Sequence, residues 1–373
     1  MTNLNRRQWL KTAGITGSVS LFTGLPSLTL ANASPAMASP KTDDIIRLSS
    51  NENPFGPSQK VRDAMINAFD VACRYPFGYI PELAKMIADK EGLTPDHIVI
   101  TAGSTEGLKI CGQVFGIQRG EIIAADPVYK SLISYAEQFG CYINRVPHTD
   151  SMEHDLEEME KRISQNTQLV FFCNPSNPTG TIVDAKRAEA FCERVSEKAI
   201  LFSDEAYYDY IAESNYPSMT KLVKKGKNVI VSKTFSKVYG LAGIRIGYLI
   251  ARPDIAERLI QKRMAGPNML AIHAAKAALQ DKEFYQFSLS ENLKARKHLY
   301  GTLDELNLRY VPSHTNFVFF HAKRPVNDVI NDMVAQGIRV GRPFPPLTDW
   351  CRVSTGRMED MEKLRAGMQK VFS

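Results

Sequence analysis

The sequence predicts an α/β fold: a mainly parallel seven-stranded sheet with helices on both faces, joined to a smaller α+β domain. Three observations lead there. Short apolar, often β-branched runs recur between residues 98 and 250, segments of helical periodicity separate most of them, and the crossovers are long enough for βαβ units.

The expected strands are Ile98–Thr101, Ile122–Ala125, Tyr142–Val146, Leu169–Cys173, Ile200–Ser203, Val229–Ser232 and Ile244–Ile250. Runs this short and this apolar suit strands covered on both faces. Pro81–Lys90 and Ala185–Lys198 carry helical periodicity, and Pro253 to Asp281 reads as one long helix. Glu153–Arg162 alternates charge around Leu156, Met159 and Ile163, the pattern of a solvated helix face, while Lys221–Lys227 reads as a surface loop. Beyond residue 281 follow a helix (about 283–307), a strand at Phe317–His321, a helix at Val326–Gln336, two short strands and a terminal helix. The expected organisation is an N-terminal arm (39–75) packed with the small domain, a large domain (76–280) and a small one (281–373).

The chain has 373 residues, 44% hydrophobic and 23% charged, which supports a large core and excludes disordered and collagen-like classes. Arg6, Arg7 and Lys11 supply half of the formal +6, in a first 40 residues free of acids. The remainder carries no nucleic-acid footprint. A charged start, an apolar stretch from Ala13 to Leu30, and small-residue endings at Ala31-Asn32-Ala33 and Ala36-Met37-Ala38 are the three regions of a secretory signal. The paired arginines before Trp9, Leu10 and Lys11 resemble the twin-arginine type. Residues 1–38 are therefore expected to be a signal cut after Ala33 or Ala38, with the periplasm as destination. Gly14, Gly17, Pro26 and several hydroxyl residues break the apolar stretch too often for a stable membrane anchor. The six cysteines lack ligand spacing and are expected to be mostly free thiols; the seven histidines have none either, so no metal is expected.

Chemistry concentrates at the expected carboxyl ends of the strands, the rim where open α/β sheets place ligands. After the first strand, Gly103-Ser104-Thr105 leads hydroxyls onto a helix N-terminus, a pattern that serves equally as an anion cradle or an ordinary cap. Asn174-Pro175-Ser176-Asn177-Pro178 forces extended backbone and aims an amide over the fourth strand end. Asp204, just past a buried run, is costly unless it meets a cation. Lys237 lies among Thr234, Ser236, glycines and Arg245, where a second positive charge lowers an amine's proton affinity.

The run Ser232–Gly247, with Asn177-Pro178-Thr179-Gly180 and Asp204-Glu205-Ala206-Tyr207, resembles fold-type I aminotransferases of classes I and II. Leu48–Pro57, Arg74-Tyr75-Pro76 and Asp126-Pro127-Val128-Tyr129 resemble most the histidinol-phosphate aminotransferases. The resemblance implies pyridoxal 5'-phosphate as cofactor, with Lys237 as its covalent lysine and proton carrier and Asp204 at the ring nitrogen. It further implies Asn177 and Tyr207 at the phenolic oxygen, and Tyr129 stacked on the ring. Ser104, Thr105, Thr234, Ser236 and Arg245 become the phosphate cradle, and Tyr75 reaches the phosphate of a neighbouring subunit in a homodimer with shared sites. Arg352 becomes the clamp on the substrate carboxylate, with Asn51 and Asn53 in an arm over the substrate. The implied partners are a small amino donor and a keto-acid acceptor in ping-pong exchange. One departure stands out: the family's arginine for the substrate phosphate is matched by Arg342 only after a one-residue shift, with Arg339 as competitor and a stiff Pro343-Phe344-Pro345-Pro346 loop behind. The same residues also suit decarboxylation, elimination, racemisation or oxidation of an amino acid, and a non-catalytic exported binding protein is a third reading.

Overall fold

The computed structural model describes residues 45–373 apart from Gln118; the expected signal segment, residues 1–38, lies outside the described residues. Residues 45–373 belong to one compact unit. Its centre is a sheet of seven strands: β1 (Ile98–Thr101), β2 (Glu121–Asp126), β3 (Tyr142–Pro147), β4 (Thr167–Cys173), β5 (Ile200–Asp204), β6 (Val229–Thr234) and β7 (Gly247–Ala251), in the order β1-β7-β6-β5-β4-β2-β3. All neighbours are parallel except β7, which runs antiparallel to both β1 and β6. Side chains alternate along each strand, so β4 sends Val170 and Phe172 to one core and Leu169 and Phe171 to the other. Helices Tyr79–Glu91, Ala185–Val195 and Met269–Gln280 cover the first face; Ser104–Gly116, Ser131–Glu137 and Pro253–Ile260 cover the second. Each fully buried phenylalanine or leucine there contributes about 1.5–3 kcal/mol.

Three local expectations fail for physical reasons. The segment 253–281 is two helices, because Gly266-Pro267 interrupts the backbone ladder and Asn268 caps a new start by accepting from the Ala271 N–H (2.8 Å). The last strand begins at Gly247 rather than Ile244, because Arg245 has φ +62°, outside the extended region. The lysine-rich loop contains the short helix Thr220–Lys224, and Lys221, Lys225 and Lys227 pair with Glu189, Glu193 and Glu197 at about one-turn intervals along the neighbouring helix and just beyond its end.

A second sheet, β8 (Tyr310–Val311), β9 (Phe317–His321) and β10 (Trp350–Ser354), is antiparallel in the order β10-β9-β8. It packs with Lys282–Glu305, Val326–Ala335 and Met358–Phe372 around Leu299, Val318, Val329 and Leu364. The arm divides between the two cores. Ile46–Arg47 pairs with Ile338–Arg339, and Leu48 enters the smaller core; helix Gln59–Asn67 instead buries Val61 against the larger one. Residues 49–53 therefore cross between the two cores, over the ends of β4, β5 and β6. All six cysteines are free. No helix among the described residues is long and apolar enough to cross a membrane, and none of their His, Cys, Asp and Glu side chains form a metal-holding group.

Candidate active site

The strand ends and the second sheet enclose a cavity of about 730 Å³. One end is polar and cationic. Gly103, at φ +84°, turns the chain from β1 into helix Ser104–Gly116, and the Arg245 guanidinium lies where a side chain at 103 would stand. Gly247 has the same duty: a Cβ there would fall 2.8 Å from the Ser104 nitrogen. Ser104, Thr105, Ser236 and Arg245 line this end. Thr234 does not. Its hydroxyl donates to Ser236 Oγ (3.0 Å) and accepts from the Ser236 N–H (3.1 Å), so it orients the cradle from behind. Backbone N–H groups at a helix start, three hydroxyls and a guanidinium that meets the Ala242 carbonyl (2.6 Å) but no described carboxylate make an anion site.

At the centre, Asp204 ends β5 and is 3% exposed. It forms no ion pair with a described residue; its Oδ1 accepts only from the Ala206 N–H (3.3 Å), and burial pushes its carboxyl up to about 7. Among the described residues only the charge of Lys237 acts to ionise Asp204, without an ion-pair contact, and a protonated ring nitrogen beside the carboxyl would supply the missing cation. Lys237 borders the cavity, its amine donating to the Asn51 carbonyl (2.8 Å) and lying 5.1 Å from the Tyr207 ring centre. Burial first, then the charge of Arg352, brings it down to about 7; Glu52 and Asp204 oppose, and Arg245 adds least. The lowering expected from Arg245 therefore comes mainly from burial and Arg352. Tyr129 lines the same wall, its hydroxyl 3.5 Å from Thr105 Oγ1.

Opposite stands Arg352 on β10, 7% exposed and held on every side. Its Nη1 donates to Asn177 Oδ1 (2.6 Å) and its Nη2 to the Ser49 carbonyl (2.8 Å), while Phe317 and Phe344 flank the guanidinium at 5.2 and 4.9 Å. Its Nε–H is buried without a partner, and desolvation lowers the group to about 10. A fixed guanidinium with an unsatisfied donor is prepared for a carboxylate.

The remaining expectations separate. Asn51 lines the cavity; Asn53 does not, because its Nδ2 donates to the Val238 carbonyl (2.8 Å) and Ser288 Oγ (3.0 Å) and it faces a separate cleft of about 270 Å³. Arg342 and Arg339 both reach the outer rim, Arg342 lying 4.5 Å above the Phe344 ring. Tyr75 is 81% exposed, stacked on Phe77, and outside this cavity. Asn327, Ile330 and Val334 form an unforeseen wall; their three- and four-residue spacing on helix Val326–Ala335 was a legible signal. Ser354 was also missed, although it lies two residues beyond Arg352 on the same strand and hence on the same face.

Residues 43–367 match the family model for aminotransferases of classes I and II. The chain belongs to that family. The enzyme is 35% identical over 336 residues to a histidinol-phosphate aminotransferase of Halalkalibacterium halodurans, covering 89% of this chain and 90% of the relative. It is 36% identical over 334 residues to one of Moorella thermoacetica, covering 88% and 86%. Among solved structures it is similar to a putative histidinol-phosphate aminotransferase of Erwinia carotovora (TM-score 0.85, 30% identity, 90% of this chain and 98% of that one). It is also similar to the Sinorhizobium meliloti histidinol-phosphate aminotransferase in complex with pyridoxal 5'-phosphate (TM-score 0.82, 28% identity, 88% and 90%).

Proposed function

We propose that this aminotransferase uses pyridoxal 5'-phosphate to move an amino group between an amino acid, or a related amine, and a keto acid. The observation that carries the reading is the placement of Asp204 and Lys237 on one cavity, each brought to about 7 by its surroundings. Bound there, the cofactor supplies an electron sink for the bond cleaved at the substrate α-carbon. Asp204 holds a proton at the ring nitrogen. Lys237, once its amine is free, accepts and returns the α-proton near neutral pH, where a base of this strength works best. Arg352 holds the carboxylate through two N–H groups, and Ser104, Thr105, Ser236 and Arg245 hold the phosphate. Histidinol phosphate is the first donor to assay, since Arg339 and Arg342 place positive charge at the distal rim. The test incubates holoenzyme with histidinol phosphate and a panel of amino acids. Conversion of the cofactor spectrum without an acceptor, and its reversal by a keto acid, is expected; release of ammonia, CO₂ or peroxide without transamination would sink the reading.

The reading extends to assembly and location. Ile66, Phe69, Tyr75 and Phe77 are 62, 64, 81 and 77% exposed, a run of apolar surface that a second copy would cover. A homodimer with Tyr75 entering the partner's site accounts for it. Mixing a Lys237→Ala subunit with a Tyr75→Ala subunit then restores a fraction of the activity that neither has alone. Export rests on Arg6, Arg7 and the segments that follow. Arg6→Lys with Arg7→Lys is expected to leave full-length, unprocessed chain in the cytoplasmic fraction; unchanged processing and export overturns the assignment.

A further inference from the structure

Asn51 occupies an unusual position. It is 2% exposed, sits at φ +53° in the left-handed region, and commits every polar group it has. Its N–H donates to Ser354 Oγ (2.8 Å), and the Ser354 hydroxyl donates back to Asn51 Oδ1 (2.9 Å). With the amide oxygen thus occupied, Nδ2 faces Tyr207 and donates to its hydroxyl oxygen (2.8 Å). Its carbonyl accepts from the Lys237 amine (2.8 Å).

The directions of these bonds have a consequence. Tyr207 Oη receives a hydrogen from Asn51, so its own O–H must be donated elsewhere, and the open side is the cavity. Were the Asn51 amide reversed, its oxygen would accept the Tyr207 proton and remove that donor from the site. Ser354 disfavours the reversal, because a reversed amide would take away the oxygen that accepts the Ser354 hydrogen and crowd a second donor onto a hydroxyl that already accepts from the Asn51 N–H. Ser354 is fixed in turn: it is 2% exposed, its N–H donates to the Leu48 carbonyl (2.9 Å), and it pairs with Phe317 across the small sheet.

Resting on the cofactor assignment above, we infer that Ser354 and Asn51 form a positioning relay that aims the Tyr207 hydroxyl at the phenolic oxygen of bound pyridoxal phosphate and seats the free Lys237 amine on the Asn51 carbonyl. The relay joins the strand that carries the substrate clamp, two residues from Arg352, to the two side chains on which the chemistry depends. A positive-φ residue in the crossing segment is the strain the site retains for that connection.

The test reads the pH midpoint of the visible absorbance of holoenzyme. A hydrogen bond donated to the phenolic oxygen favours the deprotonated form, so its loss raises the midpoint. Ser354→Ala is expected to raise it by about one unit, tenfold in proton affinity, while Ser354→Thr, which keeps the hydroxyl, stays near wild type. Asn51→Gly keeps the left-handed turn and the carbonyl for Lys237 but removes the amide that orients the Tyr207 hydroxyl; it is expected to raise the midpoint by less than Ser354→Ala, since no amide oxygen then competes for the Tyr207 proton. The other groups around Lys237 and Tyr207, namely Asp204, Glu52, Arg245, Arg352 and Cys173, are left unchanged in all three variants. A wild-type midpoint in Ser354→Ala, or a shift in Ser354→Thr as large as in Ser354→Ala, overturns the relay. If Ser354→Ala does not hold cofactor, Asn51→Gly decides, and an unshifted midpoint there overturns it. A wild-type protein that forms no visible band with pyridoxal phosphate instead refutes the cofactor assignment.

Discussion

The two ends of the cavity are built differently. The inner end stands on and just past strand ends of the large sheet, with Asp204 and Tyr207 buried and Lys237 half-buried, and desolvation there moves the proton affinities of Asp204 and Lys237 toward neutrality. The outer end, Arg339 and Arg342, stands on a short edge strand and the loop after it, with both side chains exposed. Arg342 donates to the Pro343 carbonyl (3.1 Å) and lies over the Phe344 ring, which Arg352 also flanks. An end built on strand termini of the large sheet suits bond breaking, which needs groups of tuned proton affinity. A wet, loop-borne end suits discrimination among side chains, where contacts with exposed charges contribute little each.

That contrast orders the effects of substitution. Lys237→Ala should abolish turnover and the visible band of bound cofactor, measured on purified protein mixed with pyridoxal phosphate; retention of both removes Lys237 from the chemistry. Arg352→Ala should lower kcat/KM for donors bearing an α-carboxylate by roughly a hundredfold, the loss of a charge-assisted pair in a buried site. An equal loss for an amine with no anionic group in that place would show that Arg352 serves the fold instead. Arg342→Ala and Arg339→Ala should each cost only about two- to fivefold in KM, confined to donors with an anionic distal group. A hundredfold loss in either would erase the distinction between the two ends.

The smallest effect concerns the stability of cofactor-free protein. Asp204 is raised in the folded state, so its contribution is full below about pH 4 and is lost as pH rises through 7; Lys237 is lowered, so its contribution is full above about pH 10.5 and is lost as pH falls through 7. Together they place a dip in stability near pH 7. Melting curves across pH 5 to 9 should show it as a few degrees in wild type, and Asp204→Asn should flatten its acidic side. An identical profile in the variant would mean that Asp204 is not held as the geometry implies.

Much of the inner end was legible in sequence because its residues sit at strand ends, and strand ends announce themselves as apolar runs followed by polar residues. Asp204 after Ile200–Ser203 and Asn177 after Leu169–Cys173 are of this kind. The roles of Asn53 and Thr234 were not legible, since both are polar residues in the right segments whose side chains find partners outside the cavity. The break at Gly266-Pro267 was written in the chain but outweighed by the apolar periodicity on either side.

By itself the sequence determined the succession of strands and crossovers along the chain, the family, and most of the groups that line the cavity, because hydrophobic period and local motifs are properties of neighbours along the chain. Only the tertiary structure decided that burial and Arg352, rather than Arg245, lower Lys237, that Arg352 is clasped between Phe317 and Phe344, and that Asn51 links Ser354 to Tyr207 and Lys237. Those effects depend on distance and desolvation between residues as far apart as 303 positions in sequence, and neither quantity exists until the chain has folded.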